Sequence, residues 1–410
     1  MNIKGEEIKE ILDWLGTFGR DEKGGITRLL YSEEWKAAQN ALADRFETEG
    51  LNTSFDDIGN LFGRLEGSKY QDETILTGSH IDTVKNGGLY DGQFGIVASF
   101  LSVKYLRETY GKPLRNIEIV SLAEEEGSRF PYAFWGSKNL VGTAKFQEVE
   151  SIKDFNGIAF IDAMTDSGFQ FKESNRELRK DLKAFLEIHI EQGGVLEKEK
   201  KSVGVVSSIV GQKRYTIQLD GDSNHAGTTP MGYRRDTVYT ASKMIKEIID
   251  LANTKGDPLV STVGKIQAEP NIVNVVPGRT LFTLDTRHTD KKLLDEYTDE
   301  VIKKLNEIAL EENIGLEIDL WMDANPVPMD EKIINLIQKQ CKENGLNFKM
   351  MHSGAGHDAQ IIAPFIPTGL LFVPSHNGIS HSPKEFTETV DLLEGVKALS
   401  GILYELAYKE

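Results

Sequence analysis

The middle of the chain carries a split pattern that few folds can accommodate. Residues 215–219 read as a strand, 237–251 as a helix, 262–267 and 280–286 as strands, 292–310 as a helix and 316–321 as a strand. The order β-α-β-β-α-β is that of a ferredoxin-like α+β domain. It begins after Gly211 and ends near Asn325-Pro326. On either side a different rhythm holds. Buried strands are expected at 75–81, 117–122, 185–190 and 370–373, with helices at 6–15, 94–110, 331–343 and 390–408. Strands alternating with helices predict an α/β domain built on a mostly parallel sheet. The expectation is one large α/β domain in two parts, 1–211 and 326–410, with a smaller domain, 212–325, inserted between them. At 410 residues the chain is too long for one ordinary core, which agrees with that division.

In α/β sheets, sites gather at the carboxyl ends of strands. Here those ends carry histidine and carboxylate. The run 75–81 leads into His80-Ile-Asp82, and Gly87-Gly88-Leu-Tyr-Asp91-Gly92 follows. The run 117–123 leads into Glu124-Glu125-Glu126-Gly127. His189 and His381 stand alone in similar surroundings. A single strand-end histidine is ordinarily a hydrogen-bonded structural residue, and an acidic run is ordinarily solvated. Several such features, each after an apolar strand and each punctuated by glycine, point instead to a metal centre. His80, Asp91, Glu126, His189 and His381 are the candidate ligands. One shared carboxylate lets these five side chains give each of two ions three protein ligands, with positions left for water and substrate. Asp82, two residues past His80, is placed to orient that imidazole. Glu125, beside a ligand, is the candidate general base. His288, His352 and His376 gain no firm role.

The net charge of −17, with no basic cluster longer than 198–201, argues against nucleic acid and anionic membranes as partners. An anionic small-molecule substrate would need a local cation. Arg287, at the expected end of a strand in the inserted domain, offers the forked donor a carboxylate needs. The same domain holds two polar turns, Asn224-His225-Ala-Gly-Thr-Thr-Pro230 and Asn271-Ile-Val-Asn274-Val-Val-Pro277. Arg287 alone would ordinarily be a salt-bridge residue, and the asparagines turn formers. The single cysteine, Cys341, excludes an intrachain disulfide and suits a reducing cytoplasm. No apolar run approaches 18 residues, and the N-terminal residues form no signal-peptide core.

Taken together, five motifs resemble those of the M20 metallopeptidase superfamily over nearly the whole chain. They are Gly78-Ser-His80-Ile-Asp82-Thr-Val84, Glu125-Glu126-Gly-Ser-Arg-Phe130, His189-Ile-Glu-Gln-Gly193, Asn224-His225-Ala-Gly-Thr-Thr-Pro-Met231 and Ser380-His381-Ser-Pro383. Histidine at 189, where related peptidases place a carboxylate, is similar to the branch of N-carbamoyl-L-amino acid hydrolases, β-ureidopropionases and allantoate amidohydrolases. Segments 123–131, 134–139, 209–215, 230–236 and 352–360 are similar to those of the allantoate amidohydrolases. The resemblance implies hydrolysis of the ureido group of allantoate to ureidoglycine, ammonia and CO2. It implies two divalent ions per subunit, Mn2+ in the allantoate enzymes and Zn2+ in several relatives. It also implies a homodimer formed through the inserted domain, with His225, Asn274 and Arg287 serving the partner's site, and substrate contacts from Gln212 and His357. Alternatives are an N-carbamoyl-L-amino acid hydrolase or β-ureidopropionase with the same machinery, an M20 peptidase, and a binding protein without catalysis.

Overall fold

The computed structural model describes residues 3–172 and 178–410. It divides into two compact units, Met1–Ser207 with Pro328–Glu410, and Ser208–Val327.

The first unit is built on a sheet whose strands follow the order Asn52–Phe55, Leu61–Leu65, Arg115–Leu122, Tyr70–His80, Leu182–Ile190, Thr368–Val373 and Val203–Ile209. The four strands from Arg115–Leu122 to Thr368–Val373 are parallel, and the strands flanking them run antiparallel. Their sequences show why. Leu182–Ile190 and Thr368–Val373 are almost continuously buried, which is the pattern of strands covered on both faces. Helices Gly5–Leu15, Gln93–Tyr110 and Thr389–Tyr408 pack on one another, and the latter two lie against these strands. Ile117, Ile119, Ile188 and Leu186 are fully buried beneath them. Truncating one such side chain to alanine would cost about 2–5 kcal/mol. The outer hairpin Asn52–Phe55 with Leu61–Leu65 has no counterpart in the sequence expectation.

In the second unit, Ile266–Glu269, Arg279–His288, Gly211–Asp220 and Gly315–Ala324 form an antiparallel sheet. Alternate residues Tyr215, Ile217 and Leu219, with Phe282 and Leu284, face helices Thr237–Lys255 and Lys291–Glu311 in a separate core. Both helices start at an aspartate that accepts backbone N–H groups of the first turn, Asp236 from Val238 and Tyr239, and Asp290 from Leu293. The strand expected at 262–267 is two short strands, Val260–Thr262 and Ile266–Glu269, both paired with Arg279–His288. The expected turn follows His225, whose carbonyl accepts from Thr228 N and Thr229 N, and Asn224–His225 also pairs with Val275–Val276 in a small ladder. Among the described residues no helix is long and apolar enough to cross a membrane.

Candidate metal centre

Sheet register brings the first unit's candidate ligands together. His80 is the last residue of its strand and lies opposite Leu122, two residues before Glu124. His189 lies opposite Phe372 on the other side. Asp91 closes the loop that enters helix Gln93–Tyr110. Between Asp91 and that helix, Gly92 has φ +66, and a Cβ there would strike the His80 ring and its carbonyl. Only glycine lets the backbone pass so close beneath the imidazole.

Asp91 is the hub. Its Oδ1 lies 3.4 Å from His80 Nε2 and 3.2 Å from His189 Nε2, and its Oδ2 lies 3.4 Å from His381 Nε2. The same His381 nitrogen is 3.4 Å from Glu126 Oε1. Three groups of ligand-type atoms each fall within 4.8 Å of one another: His80, Asp91 and His189; Asp91, Glu126 and His381; and His80, Glu125 and Glu126. The first two share Asp91. The third brings the half-buried Glu125 beside two candidate ligands.

Both strand histidines are fixed through Nδ1. His189 Nδ1 meets Ile190 O at 2.9 Å, and His80 Nδ1 meets Asp82 O at 3.1 Å and Asp82 Oδ1 at 3.2 Å. Each ring therefore turns Nε2 toward Asp91, the arrangement expected of metal-ligating imidazoles. His189 Nε2 accepts the Gly92 N–H at 3.0 Å, a bond that an ion on this nitrogen would replace. Asp82 does more than orient His80. Its carboxylate accepts the N–H groups of Glu125 (3.0 Å) and Glu126 (3.2 Å), so it also fixes the acidic turn.

The electrostatics are those of a site suited to a cation. Burial raises the proton affinity of Glu126 to a pKa of about 7, with Asp91 and Asp82 adding to the shift and His80 and His381 opposing it. Burial also lifts Glu125 well above the ordinary carboxylate range; His80 opposes this, and Glu126 and Asp358 add to it. For Asp91 burial acts in the same direction, but hydrogen bonds from His189, His381 and His80 hold its carboxyl well below the usual value. His381 is raised to about 9, chiefly by Asp91. Glu126 Oε1 is buried with no hydrogen bond. Buried oxygens without a donor call for explanation, and a divalent cation would supply it. The donor set of imidazole and carboxylate fits such an ion.

His357 joins this cluster. Its buried ring lies 4.6 Å from that of His189, and its Nε2 is 3.1 Å from Ser353 Oγ. Burial, with the neighbouring His189, keeps it neutral.

The candidates of the inserted unit form two groups of their own. Gln212 lies opposite Arg287 across neighbouring strands. Asp285 accepts from Gln212 Nε2 (2.6 Å), from Arg214 Nε (2.8 Å), and from Arg287 Nε and Nη2 (2.9 and 3.0 Å). Exposed His225 accepts the Gly227 N–H at Nδ1 (3.0 Å), and Asn274 O accepts from Ala226 N (2.9 Å).

Sequence reasoning missed two neighbours of Asp91. Gln192 Nε2 and Ser380 Oγ each donate to Asp91 Oδ2 at 2.8 Å. Gln192 Oε1 is buried and has no partner. Both residues stand inside motifs already singled out, three residues after His189 and one before His381, so proximity to a ligand was the available signal.

The family model of peptidase family M20/M25/M40 matches residues 76–405, which spans every one of these side chains. The chain belongs to that family. It is 53% identical to an allantoate amidohydrolase of Escherichia coli (strain K12), over 99% of this chain and 98% of the relative. It is 46% identical to an allantoate amidohydrolase of Bacillus subtilis (strain 168), over 98% and 97%. Among solved structures, an amidase of the hydantoinase/carbamoylase family from Burkholderia multivorans superposes with a TM-score of 0.94 at 30% identity, covering 99% of this chain and 98% of that one.

Proposed function

We propose that this chain hydrolyses the ureido group of allantoate, releasing ammonia and CO2 and leaving ureidoglycine. The observation that carries the reading is 53% identity, end to end, to an allantoate amidohydrolase. The convergence of His80, Asp91, Glu126, His189 and His381 on one point supports a hydrolytic metal centre.

Two divalent ions per subunit would be held by His80, Asp91 and His189, and by Asp91, Glu126 and His381. Mn2+ is the favoured metal and Zn2+ the alternative, since the donors suit both. Bound there, such ions polarise a carbonyl and acidify water. The chain's own groups supply the rest. Glu125 takes the proton of the attacking water and returns it to the departing nitrogen, a task its raised proton affinity suits. Asp82 keeps the His80 ring and the Glu125-Glu126 turn in place. Gln192 Oε1, a buried acceptor without a donor, suits an N–H of the ureido group. Arg287, oriented by Asp285, receives the substrate carboxylate, with Gln212 beside it. His225 stabilises the developing oxyanion, and Asn274 and His357 contact substrate.

The reading includes a homodimer in which the inserted unit of one chain supplies His225, Asn274 and Arg287 to its partner. Support comes from apolar side chains exposed on that unit, Met231, Tyr233, Ile266, Ile272 and Val273, and from Ile266–Glu269 being an edge strand. The enzyme is placed in the cytoplasm, which its lone buried cysteine suits.

The likeness to a hydantoinase/carbamoylase-family amidase supports a second reading, hydrolysis of N-carbamoyl-amino acids. Ammonia release from allantoate, N-carbamoyl-β-alanine and several N-carbamoyl-L-amino acids, measured side by side, separates the two. Allantoate should lead in kcat/KM by about tenfold, the worth of one good hydrogen bond to the second ureido group that the carbamoyl substrates lack. A carbamoyl substrate in the lead would establish the second reading.

A further inference from the structure

Glu385 lies four residues past His381 and is 5% exposed. Its Oε1 accepts the backbone N–H of Tyr90 (2.8 Å) and of Asp91 (3.1 Å). Its Oε2 is 2.9 Å from Ser380 Oγ, which is also 2.8 Å from Asp91 Oδ2. One carboxylate thus ties together two segments nearly 300 residues apart in sequence, the loop of Asp91 and the turn of His381. The fold makes room for it: a Cβ at position 88 would collide with the Glu385 carboxyl, so Gly88 leaves the space that side chain fills. None of the ligand roles uses this side chain.

The need for such a tie is visible in the ligands themselves. His80 and His189 are held in central strands and are buried. His381 has no such support. It sits in a turn, at φ +54, with a side chain 48% exposed. Left-handed backbone at a non-glycine residue persists only where surrounding contacts enforce it.

We infer that Glu385 is the positioning residue that holds the Asp91, Glu126 and His381 group in shape before an ion binds, and that it does so selectively for that group. The inference rests on the two-ion reading above. Glu385 acts through the backbone of residues 90 and 91 and through the Ser380 hydroxyl, and touches neither ion nor substrate. The strand-borne group of His80, Asp91 and His189 keeps its two histidines without it.

The test is Mn2+ binding to the full-length, chelator-stripped protein, followed by calorimetry and by the electron paramagnetic resonance of the bound Mn2+. Wild type should take up two ions per subunit and give the spectrum of a coupled pair. Glu385→Ala should bind one ion as wild type does and the other roughly 10- to 100-fold more weakly, the usual cost of losing a residue that orients a ligand. At one equivalent its spectrum should be that of an isolated ion. Glu385→Gln keeps an acceptor for the two N–H groups and should recover part of the loss. If both ions weaken equally while the melting temperature of the stripped protein falls, Glu385 is a general structural residue and the inference is wrong. Should Glu385→Ala not fold, Ser380→Ala carries the test, with the same selective weakening expected and equal weakening contradicting it. A wild-type protein that binds a single ion would sink the two-ion reading, and this inference with it.

Discussion

The two units concentrate opposite chemistry. The first gathers acceptors, buried Asp91 with half-buried Glu125 and Glu126, and buried oxygens of Glu126 and Gln192 have no hydrogen-bond donor. The second gathers donors at or near the surface: Arg287 and Gln212 converge on Asp285, and His225 stands exposed. Buried acceptors without donors ask for a cation, whereas the Arg287 fork already holds a carboxylate, that of Asp285. Under the proposed function, bond breaking would fall to groups of the first unit and recognition of the substrate's carboxylate to groups of the second, so damage to the first should fall on kcat and damage to the second on KM.

The largest break in that division should come from Asp91→Asn. Asp91 belongs to both two-histidine and one-histidine ligand groups, so its replacement should empty both ion positions and reduce turnover to background. His381→Ala should empty only one. Metal analysis beside kinetics checks the order, and equal residual metal in the two variants would contradict it.

Glu125→Gln comes next. It keeps the side chain's shape but cannot accept a proton. With metal content near normal, kcat should fall by on the order of 10² to 10⁴, the range for loss of a general base. A variant turning over at the wild-type rate would remove Glu125 from the mechanism.

Arg287→Ala should raise KM by about 10- to 100-fold with kcat and metal content nearly intact, since a hydrogen bond to a charged group is worth about 1.5–3 kcal/mol. Arg287→Lys should not restore it, because lysine lacks the fork. The dimer sharpens the point. Mixing Glu125→Gln with Arg287→Ala chains yields, under the partner-site reading, one site with both defects and one with neither. Mixed dimers should then recover roughly half of wild-type activity. No gain over the two mutant homodimers would place Arg287 in service of its own chain.

The smallest effect concerns protons. Asp91 raises His381 to about 9 from its ordinary 6.5. In the metal-free protein the proton on His381 therefore adds stability that is complete below about pH 6.5 and lost as pH rises through about 9. An ion must displace that proton, so affinity at this group should rise with pH toward about 9. Calorimetry of metal uptake at pH 7 in buffers of different ionisation enthalpy should detect net proton release. Uptake without release would contradict the assignment of His381.

Much of this was legible in the sequence because strands and motifs coincide. His80, Glu126 and His189 follow or end continuous apolar runs, and parallel register then sets those ends side by side. The strand expected at 215–219 lies within Gly211–Asp220, where burial alternates as in a sheet packed on one face. What escaped was held by side chains rather than by strands. Gln192 and Ser380 act through single hydrogen bonds to Asp91, which leave no periodic trace. The Glu385 contacts join residues about 295 apart, beyond any local pattern. The break between Val260–Thr262 and Ile266–Glu269 depends on pairing with Arg279–His288, which the apolar pattern alone does not contain.

Five side chains are proposed to form two ion positions around one shared aspartate. Anomalous scattering from crystals of the Mn2+-loaded protein would locate them. Two peaks per subunit are expected, one among His80, Asp91 and His189 and one among Asp91, Glu126 and His381. A single peak, or a second peak away from Asp91, would contradict that arrangement.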